Sequence, residues 1–266
     1  MKIDRALVCR VEHSGAAIAV LQARAIAALA PDSGATATPF DGGALVAFGP
    51  GRYVNRAMGV GLGGTAAGEV VDAIDAFYAE HHMAPSLELS PWTDEAIIRL
   101  LGARGYRTER FRNVYVAALP VAARPITHHP IERLTVATAA ARTAMLAGDA
   151  PVGSDARRIS DEMCATAAML PDPHDFVAVV DGEPVACGSL NVADGVGWVG
   201  GAATFPAYRG RGLQTALLDH RLRLAHQLGC ELAAATALPD GQSASNLVAC
   251  GFRLLYTQAV LTRPAR

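Results

Sequence analysis

Apolar and polar residues alternate over 175–180 and 184–192, and Asp181-Gly182 joins the two runs. That pattern predicts a hairpin of two antiparallel strands closed by a turn that needs positive φ angles. Asp194-Gly195 marks a second turn before a third strand over 196–204. The period then changes. At about 100° per residue, Leu213, Leu217, Leu218, Leu222, Leu224, Ala225 and Leu228 fall within about half of a helix circumference. Asp219, Arg223, His226 and Gln227 take the opposite side, and Gly229 stops the helix before a strand over 230–237. Three successive antiparallel strands followed by a helix predict a mixed sheet and disfavour a simple doubly wound fold.

The first half repeats this order. A strand over 56–61 leads through a glycine-rich turn over 62–68 to a helix over 69–81 and a strand over 86–89. Each half closes on a helical stretch, a glycine followed by an aromatic residue (Gly105-Tyr106 and Gly251-Phe252), and a strand. The economical reading is a duplicated α/β unit. The three prolines of the segment 118–130 disfavour helix and place a boundary there, giving domains 1–122 and 123–266.

Composition narrows the class of partner. Hydrophobic residues make up 51% of the 266 and charged residues 18%, which excludes a largely disordered chain. The formal net charge is −2 and the 23 basic residues are scattered, so neither nucleic acid nor an anionic membrane is expected as a partner. No apolar run approaches a membrane span, and a cytoplasmic location is expected. Cysteines 9, 164, 187, 230 and 250 show no metal-site spacing and read as reduced thiols; no metal is expected.

The chemistry concentrates where the strand 196–204 meets the helix. Phe205-Pro206-Ala207-Tyr208 is followed by Arg209-Gly210-Arg211-Gly212-Leu213-Gln214. A strand that feeds a glycine turn at a helix N-terminus presents unpaired backbone N–H groups and the positive end of the helix dipole to an anion. Gly210 and Gly212 let a phosphate approach the main chain, and Arg209 and Arg211 add charge. By itself this is also compatible with a solvated Arg-Gly turn that merely starts a helix.

The run TFPAYRGRGLQTALL resembles the pyrophosphate-binding motif of the GNAT superfamily of N-acyltransferases, with Arg209 at its first position and Gly212 at its fourth. Gln214 stands at the sixth, where the family has a small residue, so an altered phosphate loop is expected. Gly251-Phe252 resembles the family's recurrent pair before the penultimate strand. The resemblance covers residues 130–266 and implies two tandem GNAT-like domains of α/β class (α+β type, mixed sheet), the first degenerate. It implies acetyl-CoA as co-substrate and the amine of a small molecule or peptide as acceptor; a homodimer stays open. Arg209, Gly210, Arg211, Gly212, Leu213, Gln214 and Thr215 would hold the pyrophosphate. Ala202, Ala203 and Thr204 would align the pantetheine, and Asn246 would flank the acyl-CoA arm or cap a helix.

Catalytic groups are harder to place. The tyrosine that many members carry four residues before the glycine of Gly-Phe is Leu247 here, and the strand ahead of the loop has no carboxylate. Tyr256 is the phenol to test, with a structural role equally compatible. A non-catalytic acyl-CoA sensor or regulatory module is the competing reading. In the first half, Gly59-Val60-Gly61-Leu62-Gly63-Gly64 fits Gly-x-Gly-x-x-Gly, a weak dinucleotide signal, yet it occupies the place of the second half's phosphate loop without the arginines. Tyr53, Arg56, Trp92 and Arg110 are further candidates for shaping an acceptor pocket.

Overall fold

The computed structural model describes residues 1–52, 54–122, 128–170 and 173–264. Its elements run α1 (Arg5–Leu29), β1 (Thr36–Phe40), β2 (Gly43–Ala47), β3 (Asn55–Met58), α2 (Ala67–Glu80), β4 (Ser86–Leu89), α3 (Glu95–Ala103) and β5 (Arg107–Ala118). They continue with β6 (Ile131–Arg133), α4 (Val136–Ala147), α5 (Asp155–Ala168), β7 (His174–Val180), β8 (Glu183–Ala193), β9 (Val196–Thr204), α6 (Leu213–Gln227), β10 (Leu232–Ala237), α7 (Gln242–Ala249) and β11 (Arg253–Thr262). Two compact units result. Unit 1 comprises residues 1–115, 236–239 and 254–266, and unit 2 comprises 116–235 and 240–253, so β5, β10 and β11 are each divided between them. The expected boundary at 122/123 adjoins residues 123–127, which lie outside the described ones.

In unit 1 the strand order is β1-β2-β3-β4-β11-β5, with β1, β2 and β3 antiparallel and β3 parallel to β4. The alternation along β2 sorts the two faces. Ala44, Val46 and Phe48 pack against Ala16, Ala19, Val20, Ala23 and Ile26 of α1. Leu45 and Ala47 instead join Val70, Val71, Ile74 and Tyr78 of α2 and Ile97 and Leu101 of α3. Burial of these side chains contributes roughly 1.5–3 kcal/mol for each large one. The side chain of Asp4 caps α1 by accepting the amide of Leu7, and that of Asp94 caps α3 by accepting the amide of Ala96.

Unit 2 orders its strands β10-β9-β8-β7-β6. β7, β8 and β9 are antiparallel neighbours and β10 runs parallel to β9, the mixed sheet that the hairpin pattern predicts. Asp181-Gly182 and Asp194-Gly195 have the positive φ angles expected of their turns. α6 covers one face, where Leu213 and Leu217 meet Phe176, Ala178 and Ala186; α4 covers the other, where Met145 meets Val177 and Cys187. One residue departs from the predicted stripe: Leu228 is 43% exposed, because α6 ends at Gln227 and Leu228 is its cap. No described helix is long and apolar enough to cross a membrane.

Candidate functional site

The turn between β9 and α6 is shaped by two left-handed glycines at an uncapped helix start. Gly210 and Gly212 adopt φ of 75° and 78°, left-handed values that glycine reaches without strain, and a Cβ on Gly210 would meet open space. Gly212 is the N-cap of α6 and no side chain caps the helix there. Arg209 and Arg211 are exposed. The Nε of Arg209 donates to Thr204 O at 3.4 Å, and Arg211 donates to Ala207 O at 3.2 Å with its guanidinium 5.0 Å from the centre of the Tyr208 ring. His129 Nε2 lies 2.9 Å from Arg211 O.

Gln214 explains its own departure from the motif. Its side chain turns back into the sheet, where Nε2 is 2.7 Å from Ala203 O, 3.0 Å from Thr204 Oγ1 and 3.2 Å from Cys187 O. A longer residue is thus accommodated at this position by bonding to Cys187 within β8 and to the end of β9. Leu213 is buried and Thr215 half-buried in the same helical turn.

Upstream, the β8–β9 ladder is irregular. Ser189 pairs with Gly200 and Cys187 with Ala203, so β9 carries an extra residue at Gly201-Ala202, a bulge in which Gly201 has φ of 55°. Registered pairing of β9 with β10 extends from Leu232↔Val196 to Ala234↔Trp198, while β9 runs on to Thr204. The expected pantetheine contacts Ala202, Ala203 and Thr204 therefore lie on the bulged part of β9, past its registered pairing with β10, and immediately ahead of the phosphate-type turn.

Two buried arginines flank the bulge and escaped the sequence reading. From α6, Arg221 donates through Nη1 to Ser189 O at 3.0 Å and Gly200 O at 3.1 Å, and through Nε to Leu217 O at 3.0 Å. From α4, Nη2 of Arg142 lies 2.8 Å from Ser189 Oγ and 3.0 Å from Asp175 Oδ1. Their exposures are 2% and 3%. Burial lowers the pKa of Arg221 to about 10, partly offset by Cys187, Cys250 and Asp175. A sequence signal existed: Arg221 stands four residues from both Leu217 and Ala225, on the apolar stripe itself. Burial raises the thiol of Cys187 beside them to about 11, which disfavours the thiolate.

The remaining candidates occupy other settings. Asn246 lies inside α7, where Oδ1 accepts from Gln242 Nε2 at 3.0 Å; the N-cap of α7 is Gly241, without a side-chain bond. Leu247 is a buried core residue. Tyr256 belongs to unit 1, is 7% exposed and donates its hydroxyl to Glu12 Oε1. Burial first, and then the Glu12 charge and hydrogen bond, drive its pKa far upward. Glu12 itself rises to about 7, mainly through burial, against the lowering effect of the Tyr256 bond. Arg56 pairs with buried Glu88 at 3.0 Å, Trp92 O accepts from Arg5 at 3.1 Å, and Arg110 pairs with Glu109 at the surface. Tyr53 lies outside the described residues.

The glycine turn of unit 1 differs from that of unit 2 in one decisive respect. Asp41, from the β1–β2 turn, reaches into it: Oδ2 accepts the amide of Gly61 at 2.7 Å, and Oδ1 accepts the amide and hydroxyl of Thr65 at 3.2 and 2.7 Å. A Cβ on Gly63 would stand 2.3 Å from Asp41 Oδ1. Burial tends to raise the Asp41 pKa, but the bonds from Thr65, Gly61 and Gly63 prevail and lower it.

Residues 144–252 match the acetyltransferase (GNAT) family, a span that includes the turn and the bulge. Among solved structures, the chain is similar to a GCN5-related N-acetyltransferase from Kribbella flavida (20% identity, TM-score 0.55, 74% of this chain and 75% of that one). It is also similar to a tandem GNAT protein from the clavulanic acid biosynthesis pathway (14% identity, TM-score 0.56, 83% and 74%). A functionally unknown conserved protein from Staphylococcus epidermidis gives 12% identity and a TM-score of 0.54 over 74% and 81%. At these identities the structural likeness establishes the fold. No curated protein matches the chain in sequence.

Proposed function

We propose, from the match of residues 144–252 to the acetyltransferase (GNAT) family, that the chain is an acyl-CoA-dependent N-acyltransferase whose donor is acetyl-CoA and whose acceptor is an amine of a small molecule or peptide. The observation that carries this reading is the uncapped N-terminus of α6 behind two left-handed glycines, with Arg209 and Arg211 exposed beside it. Amides of residues 210–215 would take the pyrophosphate, and the two guanidiniums would supply charge-assisted bonds. Ala202, Ala203 and Thr204 would align the pantetheine along the bulge, with Asn246 beside the acyl-CoA arm.

When bound, the thioester supplies an activated acyl group. The amine nitrogen attacks its carbonyl carbon, the C–S bond breaks, and the amine proton leaves to water or a base while the thiolate takes up a proton. Orientation of the carbonyl by bulge main-chain groups would supply most of the acceleration. Tyr256 is the proposed phenol to test for proton transfer, although its commitment to Glu12 supports a core role in unit 1 instead. In unit 1, the Asp41 carboxylate takes the amides that a phosphate would need, which supports reading that unit as one without a CoA site of its own.

A non-catalytic acyl-CoA-binding module is the second reading, favoured by the buried leucine at 247 where related enzymes carry a tyrosine. Release of CoA from acetyl-CoA in the presence of a panel of amines separates the two. Amine-dependent release supports the enzyme, and tight binding without release for any amine supports the module.

A further inference from the structure

Arg221 is the residue whose burial the acyl-transfer reading leaves unexplained. A guanidinium withdrawn from water is costly unless its geometry repays the lost hydration. Here its bonds go to three carbonyl oxygens, those of Leu217, Ser189 and Gly200. Ser189 and Gly200 are the last paired positions before the bulge. The strand also makes room for the side chain: Gly188 has a conformation open to any residue, yet a Cβ there would stand 2.6 Å from Arg221 Cζ.

We propose that Arg221 is a positioning residue for acyl transfer, holding the β8–β9 bulge in the shape that aligns the thioester. This rests on the acyltransferase reading. Around the bulge three side chains each take one carbonyl: Arg221 that of Gly200, the Cys187 thiol that of Gly201 (3.5 Å) and Gln214 that of Ala203 (2.7 Å). With the carbonyls of Gly200, Gly201 and Ala203 engaged, the bulged segment is fixed in direction, so its main chain meets a ligand in one orientation. From the opposite face Arg142 grips Ser189 Oγ and Asp175, so among the described residues the bulge is held between two guanidiniums, one of them paired with the Asp175 carboxylate. The excess of positive charge favours the oxyanion that develops when the amine attacks.

The test is Arg221→Lys, which keeps a cation but cannot reach all three carbonyls in one plane, with Gly188→Ala as a second variant that displaces the guanidinium without touching its charge. In folded Arg221→Lys, kcat for amine-dependent CoA release falls on the order of 10²-fold, as a misaligned reacting group requires. The Kd for acetyl-CoA stays within about threefold, because the phosphate-type turn lies two helical turns away. Hydrogen exchange at Gly200, Gly201 and Ala202 accelerates about tenfold or more, while exchange at Leu222 and Ala225 does not. Gly188→Ala reproduces these effects alone and adds little to Arg221→Lys. Unchanged kcat per folded molecule in both variants, with normal acetyl-CoA binding, overturns the positioning role and leaves the acyltransferase reading standing. Absence of acetyl-CoA binding and turnover in the unaltered chain overturns that reading and this role with it.

Discussion

Two glycine turns in this chain each lead into a helix, and they differ in what faces their amides. In unit 1 the turn at 59–65 receives the carboxylate of Asp41, which accepts from Gly61 and Thr65. In unit 2 no carboxylate among the described residues bonds to the turn at 209–212, no described side chain caps its helix, and two arginines stand exposed beside it. Glycine spacing alone does not make a phosphate site. What decides is whether the fold has already satisfied the donors, because a paired amide gains little from a ligand and an unpaired one gains much.

The buried charges divide in the same way. Unit 1 sets Glu12 and Glu88 against Arg56 and Arg112, with Glu88 bonded to both arginines at 3.0 and 2.7 Å and Glu12 accepting from Tyr256. Unit 2 sets Arg142 and Arg221 against Asp175, and Nε and Nη1 of Arg142 have no partner among the described residues. The first arrangement is self-contained; the second leaves positive charge beside the bulge.

The sharpest way to break the comparison is Gly212→Trp, which places a large side chain where φ is 78° and where the pyrophosphate would lie. Acetyl-CoA affinity should drop by more than about 10²-fold by calorimetry, with folding checked by circular dichroism. Next in size is the pH response of unit 1. The folded pKa of Glu12, about 7, lies above its ordinary 4.5, so the stabilising protonated form is complete below pH 4.5 and is lost as pH rises to about 7. Urea unfolding from pH 4.5 to 8 should show a stability slope worth on the order of 3 kcal/mol that Glu12→Gln removes, while acetyl-CoA affinity is unaffected.

Arg209→Ala and Arg211→Ala should each weaken acetyl-CoA by about 1–3 kcal/mol for a lost charge-assisted contact, with a shallower salt dependence of binding in the double variant. The smallest effect is expected at the filled turn. Asp41→Ala orphans the amides of Gly61 and Thr65 and should cost about 1–2 kcal/mol in unfolding experiments, with acetyl-CoA affinity for the chain unchanged. Because hydrogen bonds hold Asp41 below its ordinary pKa, this cost is present at neutral pH and fades as acid protonates the carboxylate in the unaltered chain.

Much of unit 2 was legible in the sequence. The Asp-Gly turns, the strand 196–204 and the helix from Leu213 follow from alternation, turn chemistry and helical period, and the paired endings at Gly105-Tyr106 and Gly251-Phe252 both recur as helix, turn and strand. The long helix α1 was not read, since its buried residues mix Val and Ile with Ala16, Ala19, Ala23 and Ala25 and include the polar Glu12 and Ser14, which blurs the apolar stripe. Nor could spacing show that Asp41 fills the Gly59–Gly64 turn: the partners lie 20 to 24 residues apart and meet through the β1–β2 hairpin. Arg221 was visible as an arginine on an apolar stripe, but its meaning depends on the bulge opposite, which pairing register alone reveals.

The contrast between the two turns predicts where, and how many times, the chain would hold acyl-CoA. Calorimetric titration of acetyl-CoA into the unaltered protein, Gly212→Trp and Asp41→Ala measures both. We expect one equivalent per chain, lost in Gly212→Trp and retained at the same affinity in Asp41→Ala; no binding to the unaltered chain, or binding that survives Gly212→Trp and responds to Asp41, would contradict it.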